Sequence, residues 1–347
     1  MKTLLVTFPI DLGNRTYEKN LHKLFETDMD FFQFAGQHVD ELDKGIDYPR
    51  SVKDRILSIR SLRNRVKLCM KENGNVVFHG LSPAFLSFGS WKPQNTSILL
   101  DWTRLLYPWV LGKKMNKNWL FYLHRYVLNR CPKIMCMTQA VFDNLVEHYK
   151  IDPNQLFKVP APFDVMALNI SPRPTPLVPR VLFVGGDLKR KGGDVILKNI
   201  NRLIKANCVI SMLTNDESAN VDGVTFLSGL KYGTKAHRQV FEDNDILILP
   251  TKLDSYPQAI GEAAAAGLAV ITTKFALGAS EVVINNISGY IVDDQQACID
   301  ALLSLLSNTQ LIDDFKNAGY DHMHSKFSNQ SVKQSYLDII YNTHLNK

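Results

Sequence analysis

Two stretches in the second half of the chain combine residue types that handle phosphates and sugar hydroxyls. The first reads Gly185-Gly186-Asp187-Leu188-Lys189-Arg190-Lys191-Gly192-Gly193. Glycine lets a ligand approach the backbone, a following helix N-terminus favours an anion, and Lys and Arg add charge-assisted hydrogen bonds to phosphate. The glycine spacing is neither G-x-G-x-x-G nor a P-loop, and a solvated basic turn is the plainer reading of the same residues. The second stretch reads Asp254-Ser255-Tyr256-Pro257-Gln258-Ala259-Ile260-Gly261-Glu262. Two acids eight apart mean little in a chain where 34 of 347 residues are acidic, so context carries the weight. Asp254 follows an apolar run, and Glu262 opens an alanine-rich helix that allows close approach. A carboxylate can accept both hydroxyls of a ribose, and the backbone from Tyr256 through Pro257 and Gln258 to Ala259 can face a diphosphate. The bland alternative is a solvated loop Asp and a Glu at a helix start.

Such loops need strands and helices to hold them. Before residue 160, apolar runs at 4–8, 31–34, 76–78, 98–100 and 134–137 alternate with helical patterns at 17–26, 51–70 and 119–129. After residue 180, strands at 180–184, 208–213, 224–226, 246–249 and 269–272 alternate with helices at 193–205, 235–241, from 262 and at 296–306. This alternation predicts two doubly wound α/β halves with parallel sheets, whose ligands sit beyond the carboxyl ends of the strands. Pro162, Pro172, Pro174, Pro176 and Pro179 mark a seam that resists helix and sheet. The expected division is an N-terminal domain at 1–165, a Pro-rich linker at 166–179, a C-terminal domain at 180–325 and a last helix at 326–347.

The second half resembles the C-terminal domain of retaining glycosyltransferases of the GT-B architecture, the large family four (glycosyl transferases group 1). The resemblance rests on Phe183-Val184-Gly185, Arg190-Lys191-Gly192-Gly193, Asp245-Ile246-Leu247-Ile248-Leu249-Pro250, Asp254 to Glu262, Ala266-Gly267-Leu268-Ala269-Val270-Ile271, Glu281-Val282-Val283 and Gly289-Tyr290-Ile291-Val292. It implies two Rossmann-like domains facing across a cleft, with 1–165 on the acceptor side, 180–325 binding the nucleotide-sugar and the last helix at 326–347 packing back on the N-terminal domain. It also implies transfer of a sugar from a UDP- or GDP-sugar to a hydroxyl acceptor with retention, in glycan, polysaccharide or glycolipid synthesis, with no further cofactor. By the family's E-x7-E motif, Glu262 would bind the nucleotide ribose and Asp254 the donor sugar, while Lys191 and Arg190 hold the diphosphate. Two departures stand out: the first acid is Asp rather than Glu, and Gly186 occupies the place of a phosphate-binding Arg, for which Lys189 or Arg190 could substitute.

In the first half the resemblance implies an acceptor side and a backbone anion site near Gly13. Relatives carry a His where this chain reads Asp101-Trp102-Thr103-Arg104, and Asp101 is the preferred substitute, against a helix-capping loop Asp. His79, after a strand, is read as structural. Asp28-Met29-Asp30 and Asp243-Asn244-Asp245 match D-x-D formally, and His322-Met323-His324 has poor ligand spacing on a helix. No required metal is expected.

The remaining composition sets the surroundings. Five cysteines without a Cys-x-x-Cys pair suggest a reducing compartment. No apolar run reaches transmembrane length, and the N-terminal run reads as a strand rather than a signal peptide. The expectation is a cytoplasmic protein. Its net charge of +6 is too small to argue for nucleic acid. Residues 51–71 form a basic amphipathic helix, and Trp102, Tyr107, Trp109, Trp119, Phe121 and Tyr122 lie near Lys113, Lys114, Lys117 and Arg125. This pattern suits peripheral contact with the inner face of the cell membrane, where a lipid-linked acceptor would reside; an ordinary domain helix is the alternative. Two other functions compete with transfer: a catalytically inactive nucleotide-sugar-binding partner or sensor, and a nucleotide-dependent oxidoreductase. The missing G-x-G-x-x-G argues against the latter.

Overall fold

The computed structural model describes residues 2–7, 12–34, 52–163, 165, 170–216 and 221–341, without the side chains of 12–15 and 52. The chain divides into two compact units, Met1–Pro162 with Val332–Lys347, and Phe163–Ser331.

Unit one carries β1 (Thr3–Thr7), β2 (Asp30–Gln33), β3 (Asn75–His79), β4 (Thr96–Leu100), β5 (Lys133–Cys136) and β6 (Leu156–Lys158). All pair in parallel, in the order β2-β1-β3-β4-β5-β6. β1, β3, β4 and β5 are buried along their whole length, which is why they read as unbroken apolar runs rather than alternating ones. The last helix, Asn329–Ile340, joins this unit from Val332 onward. The buried Tyr336 lies against Phe25 and donates its hydroxyl to the Pro160 carbonyl at 3.1 Å. Lys133 donates to the Ile340 carbonyl at 2.8 Å.

Unit two carries β7 (Arg180–Val184), β8 (Val209–Leu213), β9 (Val224–Leu227), β10 (Ile246–Leu249), β11 (Ala269–Thr273) and β12 (Gly289–Val292). Its sheet is also parallel, in the order β12-β11-β10-β7-β8-β9. Chain order reverses between β7 and β10, which pair through Ile246↔Val181 and Leu247↔Leu182. Ligands of open α/β sheets bind beyond the carboxyl ends of the strands at such a switch point. The loops after β7 and β10 are the two stretches singled out by their chemistry.

Several elements differ from the sequence reading. The helix expected over 193–205 is two, Gly193–Lys198 and Ile200–Lys205. Asn199 interrupts it because its side-chain amide donates to the Val195 carbonyl at 3.0 Å, competing with the backbone. The first helix starts at Leu12 rather than 17, since Gly-Asn-Arg-Thr shows no apolar periodicity. β6 is too short to register as a pattern. Residues 171–179 have no regular structure, yet they are fastened to unit two. Thr175 donates to Asp313 through its backbone (2.9 Å) and its hydroxyl (2.6 Å). The buried Asp245 accepts from the Arg180 backbone at 2.9 Å and pairs with Lys316 at 3.2 Å and Arg173 at 3.4 Å. The second D-x-D match is thereby a structural staple.

Candidate active site

The turn after β7 is shaped by what its glycines allow. A Cβ on Gly185 would stand 2.8 Å from the Phe183 ring and 2.9 Å from the Lys191 Cβ, so glycine makes room for the Lys191 stem at the strand end. Asp187 caps the single-turn helix Leu188–Lys191, accepting from the Arg190 backbone at 3.0 Å and from its guanidinium at 3.3 Å. Gly192 ends that turn with φ 85°, and a Cβ there would meet the Pro250 carbonyl at 1.9 Å. Backbone contact with the end of β10 is therefore tight enough to require glycine. Gly186 has open space around its Cβ position and is exposed.

Across the switch point the two loops are tied together. The Arg190 carbonyl accepts from the Lys252 amide at 2.8 Å, and its guanidinium donates to the Leu253 carbonyl at 3.2 Å. Arg190 stands 3.7 Å from Asp254, and the Lys191 ammonium is in direct hydrogen-bond contact with the same carboxylate. Asp254 is held in turn by backbone bonds to Phe275 and Leu277, both 2.9 Å. The fold thus brings Gly185, Arg190, Lys191 and Asp254 to one place. It also corrects the picture of three cations available to a ligand: Asp187 and Asp254 offset two of them, while Lys189 is exposed. An ammonium has three donors, so Lys191 can keep Asp254 and still bond an anion.

Glu262 does not open its helix. The helix is Gln258–Ala265, and Glu262 lies in its second turn, buried. Pro257 occupies the N-cap and makes no side-chain capping hydrogen bond. The earlier start follows from Pro257, whose ring sets up a helix entry that apolar spacing does not reveal. Ala259 and Tyr256 are buried, and Tyr256 packs where a Cβ on Gly278 would lie 2.5 Å from its ring. The Glu262 carboxyl is 3.9 Å from His237 Nε2, and its burial raises its pKa to about 7. His237 was missed from the sequence; a lone histidine in an eight-residue helix carries no pattern.

In unit one, Asp101 follows β4 and lines a depression with His79, Trp102, Arg104 and His124. His79 is buried, and desolvation lowers its pKa to about 4, so the ring is neutral. Its Nδ1 meets no protein partner among the described residues. Gly13 lies in the first turn of the helix Leu12–Phe25, and the loop at 8–11 before it is outside the described residues. His322 and His324 face the carbonyls of Glu281 and Ala265 at 3.1 and 3.2 Å, which are structural contacts. Among the described residues, no group of three His, Cys, Asp or Glu side chains is placed to hold a metal ion. No helix there is long and apolar enough to cross a membrane.

Residues 178–308, just over a third of the chain, match the family of glycosyl transferases group 1. No curated protein matches the sequence. Among solved structures, a glycosyltransferase from Rickettsia africae aligns with TM-score 0.73 and 16% identity, over 100% of this chain and 99% of the other. Sucrose-phosphate synthase from Thermosynechococcus elongatus aligns with TM-score 0.75 and 12% identity, over 100% of both chains. HepE from Anabaena, solved with UDP-glucose, aligns with TM-score 0.73 and 13% identity, again over 100% of both. The architecture is shared with these proteins at identities that speak for the fold alone. The segment at 178–308, which holds the paired loops of the β7/β10 switch point, is similar to glycosyl transferases group 1, and the two parallel six-stranded sheets are the architecture of the glycosyltransferase structures it resembles.

Proposed function

We propose that the chain transfers a sugar from a UDP- or GDP-sugar to a hydroxyl acceptor with retention, in the assembly of a glycan, polysaccharide or glycolipid. The observation that carries this reading is the Arg190–Lys191–Asp254 cluster at the switch point of unit two, inside the family-matched segment. The bond from the anomeric carbon to the diphosphate oxygen breaks while a bond to the acceptor oxygen forms, and the departing phosphate takes the acceptor's proton. The protein's part is to stabilise charge growing on the leaving β-phosphate, which suits Lys191 with Arg190 and the turn amide of Gly186, the Gly185 amide being taken by the Leu213 carbonyl at 2.9 Å. The first turn of the helix at Gln258 and Ala259, entered from Tyr256 and Pro257, faces the diphosphate. Glu262 accepts the ribose hydroxyls, and Asp254 meets a hydroxyl of the donor sugar. On the acceptor side, Asp101 and the neutral His79 offer acceptors to a substrate hydroxyl, and Gly13 sits beside a backbone anion site.

UDP bound to HepE supports a nucleotide donor here. We also place the helix Val52–Lys71 at an anionic lipid surface, because it leaves Ile56, Leu57 and Leu68 exposed among Lys and Arg residues.

The test is a donor panel. UDP- and GDP-sugars are incubated with the protein and acceptor mixtures, and release of nucleoside diphosphate is followed. Release is expected from one donor class, reduced roughly 100-fold or more in Lys191→Ala, on the scale of a lost electrostatic stabiliser, and abolished in Glu262→Ala. Binding without release assigns a sensor; no binding to either class removes the transferase reading.

A further inference from the structure

Glu262 stands in a helix whose remaining residues are Gln, Ala, Ile and Gly, so no ionisable neighbour on its own element supports it. A buried carboxylate of this kind needs donors from elsewhere. The group that faces it comes from the helix Lys235–Glu242, where His237 places Nε2 3.9 Å from a Glu262 oxygen, with both side chains about nine-tenths buried. The imidazole is fixed in that place. Its ring lies 5.3 Å from Tyr232 and 5.2 Å from Phe241, and its backbone amide donates to the Thr234 cap at 3.3 Å. Burial lowers its pKa, which keeps one ring nitrogen as a donor and the other as an acceptor.

We propose that His237 is a positioning residue for nucleotide recognition: its Nε2–H holds one oxygen of Glu262 so that the other is aimed at the ribose diol. This rests on the proposed role of Glu262. The present 3.9 Å is about one ångström longer than a charge-assisted hydrogen bond. Ordering of the carboxylate by the diol closes it, so the contact forms with the nucleotide and its loss is felt through the ribose hydroxyls alone.

The experiment measures binding of UDP and GDP, and of their 2′,3′-dideoxy forms, to the full chain by calorimetry. Wild type, His237→Leu, His237→Gln and Glu262→Gln are compared, with thermal melts to confirm folding. Expected is a 5–10-fold loss of ribonucleotide affinity in His237→Leu, no change for the dideoxy form, and recovery in His237→Gln, whose amide can donate. Equal weakening of both forms, or no weakening of either, overturns the proposal, and His237→Gln decides it alone if His237→Leu does not fold: ribonucleotide affinity near wild type supports it, and equal weakening of both forms overturns it. If wild type itself does not distinguish ribose from dideoxyribose, or Glu262→Gln binds as wild type, the ribose role of Glu262 fails first, a result distinct from failure at His237 alone.

Discussion

Glu262 folds with a carboxyl that prefers to stay protonated, because burial removes water that the charged form needs. Its pKa moves from 4.5 to about 7, so the native state binds a proton that the unfolded chain has released between those values. The stability this gives is fully present below pH 4.5 and is lost as pH rises through 7, on the order of 3 kcal/mol at about 1.36 kcal/mol per unit. Glu262→Gln is expected to gain stability over wild type at pH 8 compared with pH 5, read from urea midpoints at both. Donor binding should run the other way: a ribose diol donates to the ionised form, so nucleotide-sugar affinity should rise with pH through about 7 and flatten in the Gln variant. A nucleotide-sugar is the right ligand because its diesterified diphosphate does not titrate in that range. His79 is shifted in the opposite sense; its neutral-form preference stabilises above pH 6.5 and fades as pH falls toward 4.

Among the elements, the 171–179 stretch shows how a proline-rich segment can be rigidly held. Its anchor is Asp245 at the start of β10, which pairs with the fully buried Lys316 of the helix Thr309–Lys326. Breaking a buried pair from one side leaves an uncompensated charge. Lys316→Met is expected to cost about 3 kcal/mol or more in urea unfolding, and a Lys316→Met/Asp245→Leu double variant to recover much of it. A loss in the single variant below about 1 kcal/mol would show that Arg173 and the Arg180 amide suffice for Asp245. Proline spacing showed that these residues are neither helix nor strand; which side chains fasten them depends on two carboxylates far along the chain, Asp245 on Arg173 and Asp313 on Thr175.

Taken across each unit, both sheets follow the doubly wound rule, and the charged helices lie on their surfaces. In unit one the exposed Ile56 and Leu57 follow Lys53 and Arg55, and the helix Trp119–Asn129 leaves Trp119, Tyr122 and Tyr126 exposed, with Arg130 stacked on Tyr126 at 4.8 Å. Sedimentation with anionic liposomes at low salt is expected to capture the protein, with release as salt is raised, since the attraction is screened within a Debye length. Retention in the supernatant at low salt would remove lipid from the list of partners.

The sequence by itself determined the layers and the parallel sheets, because strands buried on both faces must be apolar throughout and the helices between them periodic. It also marked Arg190, Lys191, Asp254 and Glu262, since their loops combine glycine, cations and carboxylates at strand ends. Tertiary structure alone decided how those charges are spent. Lys191 meets Asp254, Asp245 meets Lys316, and Glu262 meets His237, because pairing among residues far apart in the chain is set by where strands cross over and not by spacing along it.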